Sequence, residues 1–272
     1  MKILFSPKGE VFFSDFEMLR TDYWHSKLAF FPVPEVVPSD WECWSISKHI
    51  SELSIDRKTK EIQFPQNITE AELCYALRVL IDTIQLLSGK IPLHAAALSY
   101  QHQNFLLFAN SGAGKSQISE LLCYADKEFG IIGDDHIYLL VDSIQGNAVR
   151  RMRNIAGEDS GFFRNIGYSS GKCTTGFFFL PSMKEQSAMV IPFSKWLFWL
   201  EKVSALKYAC TDMTIQGNCY HTDILFHCCI RTLYDSLLKS NHFDKMILLT
   251  GSHHYAADYI RSYILQQKGT SL

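Results

Sequence analysis

The sequence lacks several features that would assign a function class at once. Its formal net charge is only −2, from 26 lysines and arginines against 28 aspartates and glutamates. So small a charge creates no field that would attract nucleic acid or an anionic membrane. No apolar run approaches the length of a membrane span, and the three apolar residues at 3–5 are too few for the core of a signal peptide. We therefore predict a cytoplasmic protein that binds neither nucleic acid nor membrane.

The sequence also lacks cysteines and histidines at the spacing that is typical of metal ligands. The eight cysteines are scattered along the chain, and no two of them form a Cys-x-x-Cys pair. His253 and His254 are adjacent but have no partner residues of the kind that a metal site requires. The sequence thus predicts neither a zinc site nor a disulfide framework. What remains is ordinary globular composition, with 47% hydrophobic and 20% charged residues, which is enough for a sizeable core.

The most informative segment that is present spans residues 109–116, Ala-Asn-Ser-Gly-Ala-Gly-Lys-Ser. An apolar run typical of a strand precedes it at 104–108, and residues 117–123 follow it with helical spacing of apolar side chains. Strand, glycine turn and helix come in the order that a phosphate-binding loop requires; a merely flexible turn is the alternative. In such a loop, backbone N–H groups surround an anion, the lysine reaches the outer phosphates, and the last hydroxyl ligates Mg²⁺. The predicted nucleotide contacts are Asn110, Ser111, Gly112, Ala113, Gly114, Lys115, Ser116 and Gln117.

A second candidate anchor is the acidic pair Asp134 and Asp135, which ends the apolar run 130–133. Mg²⁺ prefers oxygen ligands, and a carboxylate at a strand end beside the loop can hold it directly or through water. Because adjacent residues of an extended strand point to opposite sides, one carboxylate can face the metal and the other a substrate hydroxyl. The candidate metal ligands are Ser116 and Asp135, although the sequence leaves open which aspartate binds metal and which acts as base. An Asp-Asp turn is the structural alternative.

The segment before the glycine turn predicts a β-hairpin. A strand-type run from Pro92 to Tyr100 is followed by polar residues 101–104 and then by the strand that leads into the turn. So short a link leaves room only for an antiparallel return, whereas most parallel nucleotide-binding sheets would place a crossover helix here.

These residues resemble the HPr kinase/phosphorylase group and its relatives in the phosphoenolpyruvate carboxykinase superfamily. In that group a histidine begins a small-residue strand, a hairpin leads to a loop of the form Gly-x-Ser-Gly-x-Gly-Lys-Ser, and a later strand ends in Asp-Asp. Here His94, residues 111–116, Asp134 and Asp135 occupy the matching positions, within a similarity that covers residues 85–142. The resemblance implies phosphoryl transfer from ATP to a hydroxyl. It also implies that His94 orients the acceptor, contacts the γ-phosphate or helps to move a proton.

Two departures from the family pattern narrow the expected acceptor. Ala109 stands where the family's loop normally opens with glycine, which is tolerable if its φ angle is negative. The chain has no Arg-Gly dipeptide, whereas the protein kinase/phosphorylases carry a distal signature built around one. The resemblance therefore favours the divergent kinases that act on the serine of a small molecule or peptide over the true HPr kinases.

The rest of the chain suggests the domain organisation. Residues 1–66 predict a small β-rich region with a hairpin formed by 50–55 and 61–64. Residues 67–272 would form the kinase-like domain, which begins with a helix from the capping-box residues Thr69 and Glu72 to Gly89. Phosphoryl transfer needs added positive charge, and a mobile segment at 157–171 is the candidate lid. The candidate phosphate or substrate contacts are Arg150 and Arg151.

Together these features predict an α/β fold, in which a mixed sheet carries a phosphate-binding loop preceded by a β-hairpin. They predict an enzyme, a Mg-ATP-dependent kinase whose acceptor is a hydroxyl-bearing peptide, protein or small molecule. The predicted catalytic residues are Asp134, Asp135, His94 and Lys115. A nucleotide-binding sensor without an acceptor is the main alternative, and a carboxykinase-like enzyme is a second, for which no clear ligand cluster is found. A homo-oligomer is compatible with the sequence.

Overall fold

The computed structural model describes residues 1–7, 11–14, 31–32, 35–101, 103–147, 149–153, 159–203, 205–206, 212–227, 230–240 and 242–268. These residues form six α-helices and twenty strands, and the strands pair in both parallel and antiparallel fashion. The protein is therefore α/β with mixed sheets, as predicted. None of the helices among the described residues is long and apolar enough to cross a membrane.

The first sheet lies wholly before residue 66, and its strand order is β3-β2-β1-β4-β6-β5. Its strands are β1 (Lys2–Phe5), β2 (Val11–Phe13), β3 (Phe31–Pro32), β4 (Glu42–Ile50), β5 (Ser54–Asp56) and β6 (Glu61–Pro65). The predicted hairpin forms in part: β5 pairs antiparallel with β6, whereas Ile50 belongs to β4, which runs parallel to β6. One hydrophobic cluster joins Phe13 and Phe64 of this sheet to Leu77 of the next helix, so the domain boundary at residue 66 stays a prediction.

Helix α1 (Glu70–Leu87) begins at the predicted capping box. The Thr69 hydroxyl accepts the Glu72 N–H at 3.2 Å, and the Glu72 carboxylate accepts the Thr69 N–H at 3.0 Å. The helix ends just before Gly89, whose φ of +80° is a conformation that favours glycine. Most of α1 is buried, including two charged side chains one turn apart, Arg78 and Asp82.

Fourteen strands and five helices follow α1 along the described chain. The strands are β7 (Ile91–Leu93), β8 (Ala96–Tyr100), β9 (Gln103–Phe108), β10 (Phe129–Gly133), β11 (Ile137–Leu139), β12 (Ser143–Gly146), β13 (Val149–Arg153), β14 (Asp159–Arg164), β15 (Tyr168–Ser170), β16 (Cys173–Pro181), β17 (Ser187–Val190), β18 (Met213–Ile215), β19 (Asn218–Tyr220) and β20 (Lys245–Gly251). The helices are α2 (Lys115–Ala125), α3 (Trp196–Lys202), α4 (Thr222–Phe226), α5 (Ile230–Lys239) and α6 (His253–Lys268).

The central sheet has the strand order β10-β8-β9-β16-β20-β17. Strands β8 and β9 form the predicted antiparallel hairpin, with Ala97 opposite Leu106. Strand β8 is also antiparallel to β10, so β10 runs in the same direction as β9, β16 and β20. The chain therefore leaves β10, β9 and β20 and enters β8 at one end of this sheet, which we call the carboxyl rim.

Both faces of the central sheet are covered. Along β9, Leu106 and Phe108 pack into the cluster that contains α1, and Phe105 and Leu107 pack into a second cluster with α2 and α6. This alternation is what a strand buried on both faces requires. The side chains of Phe177–Phe179 in β16 are all buried.

The run from Pro92 to Tyr100 is not the single strand that the sequence predicts. The chain breaks after β7, which pairs with β11 in a separate sheet of order β15-β12-β11-β7, and β8 then joins the central sheet. His94 lies at this crossing, where its backbone N–H donates to the Ala205 carbonyl at 3.0 Å. Pairing with two different sheets separates the strands, and it puts His94 at the carboxyl rim.

Candidate functional site

The glycine turn, residues 109–114, connects β9 to α2 at the carboxyl rim. The Ala113 N–H donates to the Asn110 carbonyl at 3.1 Å, and the Ile118 N–H donates to Gly114 at 3.0 Å, so the turn passes directly into the helix. Gly112 and Gly114 have φ angles of +78° and +94°, which strain any other residue. A side chain at Gly114 would also overlap the His253 ring. This backbone path therefore requires glycine at both positions.

The N-terminus of α2 suits an anion. Gly114 occupies the N-cap position and has no side chain that could accept a helix N–H. The first turn contains Lys115, Ser116 and Gln117 and no acidic residue. The first N–H groups of a helix lack partners within the helix and carry a partial positive charge, so a phosphate group is a favourable partner for them.

Lys115 is the buried cation of this turn. Its residue is only 6% exposed, and its Nζ donates to the Ala109 carbonyl at 3.0 Å. Burial lowers the pKa of Lys115 to about 8, although the nearby carboxylates of Asp135 and Asp134 act to raise it. The ammonium is thus within electrostatic range of both aspartates, and an added anion would stabilise its charged form.

Asp134 follows β10 and is held by a residue that the sequence analysis did not identify. The Asp134 N–H donates to Asn147 Oδ1 at 3.0 Å, and Asn147 Nδ2 donates to the Asp134 carboxylate at 3.4 Å. Asn147 reaches Asp134 because β10 and β12 approach closely. A Cβ atom on Gly133 would lie 2.6 Å from the Gly146 Cα, so both positions have to be glycine for this approach.

Asp135 contacts two basic side chains from different parts of the chain. Arg78 Nη1 lies 3.3 Å from Asp135 Oδ2, and its Nη2 donates to the Asp135 carbonyl at 3.3 Å. His94 Nε2 lies 3.3 Å from the other carboxylate oxygen. The Asp135 side chain is 30% exposed, whereas those of Arg78 and His94 are almost fully buried. The carboxylate is thus anchored from behind, with one side open to solvent.

The surroundings of His94 favour its neutral form. Burial lowers its pKa below the usual value, and the hydrogen bond to Asp135 acts in the opposite direction, while the charges of Lys115 and Arg78 lower the pKa further. A neutral imidazole can meet a carboxylate only through a protonated nitrogen, so Nε2–H donates to Asp135. His94 therefore orients Asp135 without adding a formal charge.

A second, fully buried group lies one helical turn further along α1. Asp82 Oδ1 is 2.6 Å from His136 Nε2 and accepts the Tyr138 hydroxyl at 2.8 Å. Burial and the Asp82 charge raise the pKa of Tyr138 well above its usual value, so the phenol stays protonated and donates. Since His136 directly follows Asp135, this group fixes the backbone beside the exposed carboxylate.

His253 is another residue of the site that sequence reasoning missed. It begins α6 after β20, its ring lies 5.3 Å from that of Phe179, and its Nε2 is 3.0 Å from the Ala113 carbonyl. The pair His253–His254 was considered only as a metal site, for which the sequence offered no partners. The structure instead brings His253 from the far end of the chain against the glycine turn.

The remaining predicted contacts are placed as follows. Asn110, Ser111, Gly112 and Gln117 are exposed, and Ala113, Gly114 and Ser116 are half-buried. Arg150 and Arg151 lie on β13, which pairs with β14, but their side chains are outside the described part of the structure. The predicted lid at 157–171 begins outside the described residues and continues as β14 and β15. Its opening and closing stay a prediction.

The geometry can be set beside known proteins. No protein-family model matches the chain, and no curated protein sequence matches it significantly. The groups that meet at the carboxyl rim are a glycine turn with a buried lysine, two aspartates and two histidines.

Proposed function

We propose that this protein is a Mg-ATP-dependent kinase that transfers the γ-phosphate to a hydroxyl group. One observation carries the proposal: the glycine turn with Lys115 and the Asp134–Asp135 pair meet at the carboxyl rim, close enough for both carboxylates to act on the Lys115 pKa. Phosphoryl transfer needs phosphate positioning, charge neutralisation and a group that orients the acceptor. Ligands of open α/β sheets bind at this end of the strands.

The glycine turn and α2 would hold the polyphosphate. The left-handed conformations of Gly112 and Gly114 turn the backbone toward α2, whose first N–H groups have no side-chain cap from Gly114. Lys115 now donates to the Ala109 carbonyl, and it would exchange this neutral acceptor for a phosphate oxygen. Mg²⁺, when bound, would neutralise charge on the transferring phosphates, with Ser116 and one aspartate as its candidate ligands.

The surroundings of the two aspartates favour different roles. Asp135 has the Arg78 guanidinium 3.3 Å from its carboxylate, and a second cation so close would repel a divalent ion. Asp134 is 5% exposed and is bonded to the neutral amide of Asn147. We therefore assign Mg²⁺ to Asp134, directly or through water, and the acceptor hydroxyl to the exposed side of Asp135. This reverses the preference of the sequence for Asp135 as metal ligand.

Arg78 and His94 act as positioning residues in this scheme. They bond opposite carboxylate oxygens of Asp135, so its plane is fixed while its exposed side is left to the acceptor. Positioning of this kind supplies much of the rate in phosphoryl transfer, because the protein forms no covalent bond of its own.

The proposal is tested by incubating the full-length protein with γ-labelled ATP, Mg²⁺ and hydroxyl acceptors, which include free serine and serine or threonine peptides. We expect label on an acceptor and loss of transfer in Lys115→Met. The matched control is Lys127→Met, which removes an exposed lysine just after α2 and should keep full activity. Nucleotide binding without transfer to any acceptor would support the sensor instead. No nucleotide binding would refute both.

The two aspartates are separated by single amide variants. Asp135→Asn should lose turnover yet keep Mg-ATP affinity, because the amide cannot accept the acceptor's proton. Asp134→Asn should weaken Mg²⁺ and raise the Mg²⁺ concentration that half-maximal activity requires. The converse pattern would indicate that Asp135 binds Mg²⁺. Full activity of both variants would contradict a role for either carboxylate.

A further inference from the structure

The hairpin of β18 and β19 carries a cluster outside the proposed kinase site. Met213 pairs with Tyr220, and Thr214 pairs with Cys219. The buried side chains of Met213 and Ile215 face the interior, so Thr214 and Cys219 point to solvent. The same register continues to Asp212 and His221 just beyond the strands. A carboxylate, a thiol and an imidazole thus share one exposed face of the hairpin.

These three side chains are close together. Asp212 Oδ1 lies 2.8 Å from His221 Nδ1, and with Cys219 Sγ the three ligand atoms all lie within 4.8 Å of one another. Zinc binds sulfur at about 2.3 Å and nitrogen or oxygen at about 2.0–2.2 Å, which puts tetrahedral ligand atoms about 3–4 Å apart. Small rotations of exposed side chains therefore suffice to enclose an ion.

The backbone that carries the cluster is fixed on both strands. The Gln216 N–H in the hairpin turn donates to Glu72 of α1 at 3.0 Å, and Tyr75 of α1 donates to the Asp212 carbonyl at 3.4 Å. On the other strand, Tyr220 accepts the Leu53 N–H at 3.2 Å. The backbone positions of the ligands are thus set before any ion arrives, which reduces the entropy lost on binding.

An ion pair between Asp212 and His221 does not by itself account for the cluster. Both side chains are more than half exposed, and exposed pairs contribute only about 0–1 kcal/mol. Such a pair also does not involve the Cys219 thiol. Cys219 and His221 are two residues apart on one strand, and Asp212 faces them from the other, which gives the three protein ligands of an open zinc site.

We propose that Asp212, Cys219 and His221 bind a thiophilic divalent transition metal such as Zn²⁺, with water as the fourth ligand. The ion joins the open ends of β18 and β19 and adds to their attachment to α1. This proposal is independent of the kinase proposal, because two of its three ligands are a thiolate and an imidazole, whereas Mg²⁺ binds oxygen.

The test is a Co²⁺ titration of the metal-stripped, full-length protein, with Mg²⁺ in excess so that oxygen-ligand sites are filled. We expect a thiolate-to-cobalt charge-transfer band in the near ultraviolet, which Zn²⁺ abolishes by displacement. Cys219→Ser should remove the band, and His221→Ala should weaken Co²⁺ binding by about tenfold or more. The controls Cys43→Ser and Cys210→Ser, the latter the cysteine nearest to Asp212 in sequence, should keep the band.

Thermal unfolding and the pH dependence of metal affinity provide two further tests. Zn²⁺ should raise the thermal midpoint of the wild type but not that of Cys219→Ser, because a ligand that binds only the folded state stabilises it. Affinity should fall as the pH is lowered, since protons compete for the ligands. A band that survives Cys219→Ser, a band lost with Cys210→Ser, or no band with the wild type would each overturn the proposal.

Discussion

The N-termini of α1 and α2 differ in their capping residues and in the charge of their first turns. Helix α1 begins with a complete capping box between Thr69 and Glu72, and its first turn contains Glu70 and Glu72. Helix α2 begins with Gly114 in a left-handed conformation, followed by Lys115 and no acidic side chain in the first turn. Residues at the start of α1 therefore accept hydrogen bonds from its N–H groups and complement its dipole. The start of α2 depends on a partner from outside the helix for both.

The difference is consistent with the proposal that the start of α1 is structural and the start of α2 binds a ligand. The carboxylates of α1 complement the positive end of the dipole, so α1 gains stability from its own sequence. At α2 the cation Lys115 lies at that same positive end and is buried, which costs stability unless an anion arrives. In the proposed kinase, features that stabilise the fold and features that would bind a ligand are thus separated between two helices.

The largest effect is expected from Lys115→Met. Loss of a buried, hydrogen-bonded charge partner costs about 2–5 kcal/mol, so nucleotide affinity should fall about thirtyfold or more. The midpoint of thermal unfolding at pH 7 should not fall, because burial disfavours the ammonium, as its lowered pKa of about 8 indicates. Calorimetric titration and thermal unfolding of one preparation measure both quantities. Unchanged affinity, or a loss of fold stability that matches the loss of affinity, would contradict the difference between the two helix starts.

Gly112, before α2, and Gly89, after α1, form a matched pair for substitution. Gly112 in the turn and Gly89 after α1 have φ angles of +78° and +80°, and neither has an atom within 4 Å of where a Cβ would lie. Alanine at either position should therefore cost a similar amount of stability, about 1–2 kcal/mol. Only Gly112→Ala should also weaken nucleotide binding, by about tenfold. Equal nucleotide affinity of the two variants would place the binding site elsewhere.

The pH dependence of nucleotide affinity follows from Lys115. A bound phosphate favours the ammonium, so its pKa in the complex exceeds its value of about 8 in the free protein. Affinity should be constant below pH 8 and fall as the pH rises above 8, by about tenfold per unit at most. Titrations at pH 7, 8 and 9 in two buffers should reveal proton uptake near pH 8. Lys115→Met should lack this dependence.

The smallest effect is expected at α1. Thr69→Ala removes the side-chain cap and should lower the free energy of unfolding by about 1 kcal/mol, measured by urea titration. Nucleotide affinity should stay at the wild-type value, since the capping box does not contact the carboxyl rim in any described interaction. A loss of affinity with this variant would connect the two helix starts and weaken the contrast between them.

The local features of the site could be predicted from sequence because their signals act over a few neighbouring residues. The capping box, Gly89 and the order of β9, turn and α2 are of this kind. Arg78 was not predicted, because a lone arginine in an apolar helix pattern is typical of an exposed position, and only burial of α1 brings it to Asp135. Asn147 and His253 were missed because sheet crossing and the β20–α6 connection position them.

The cluster of Asp212, Cys219 and His221 also could not be predicted from the linear sequence. Spacing along the chain indicated no zinc site, since Cys219 and His221 belong to no Cys-x-x-Cys pair. Asp212 lies opposite them only because the turn at Gln216 and Gly217 folds the chain back, with φ angles of +49° and +81°. Antiparallel register brings together residues that a linear motif cannot relate.

The sequence by itself determined where helix α1 begins and ends, and that a glycine turn joins an apolar strand to a helix with Lys115 in its first turn. Those outcomes depend on hydrogen bonds and φ angles within a few residues. Only the tertiary structure decided that the chain breaks at His94 and that Arg78 and His94 meet at Asp135. Such contacts join residues up to 57 positions apart, and they exist only once two sheets and a buried helix have packed together.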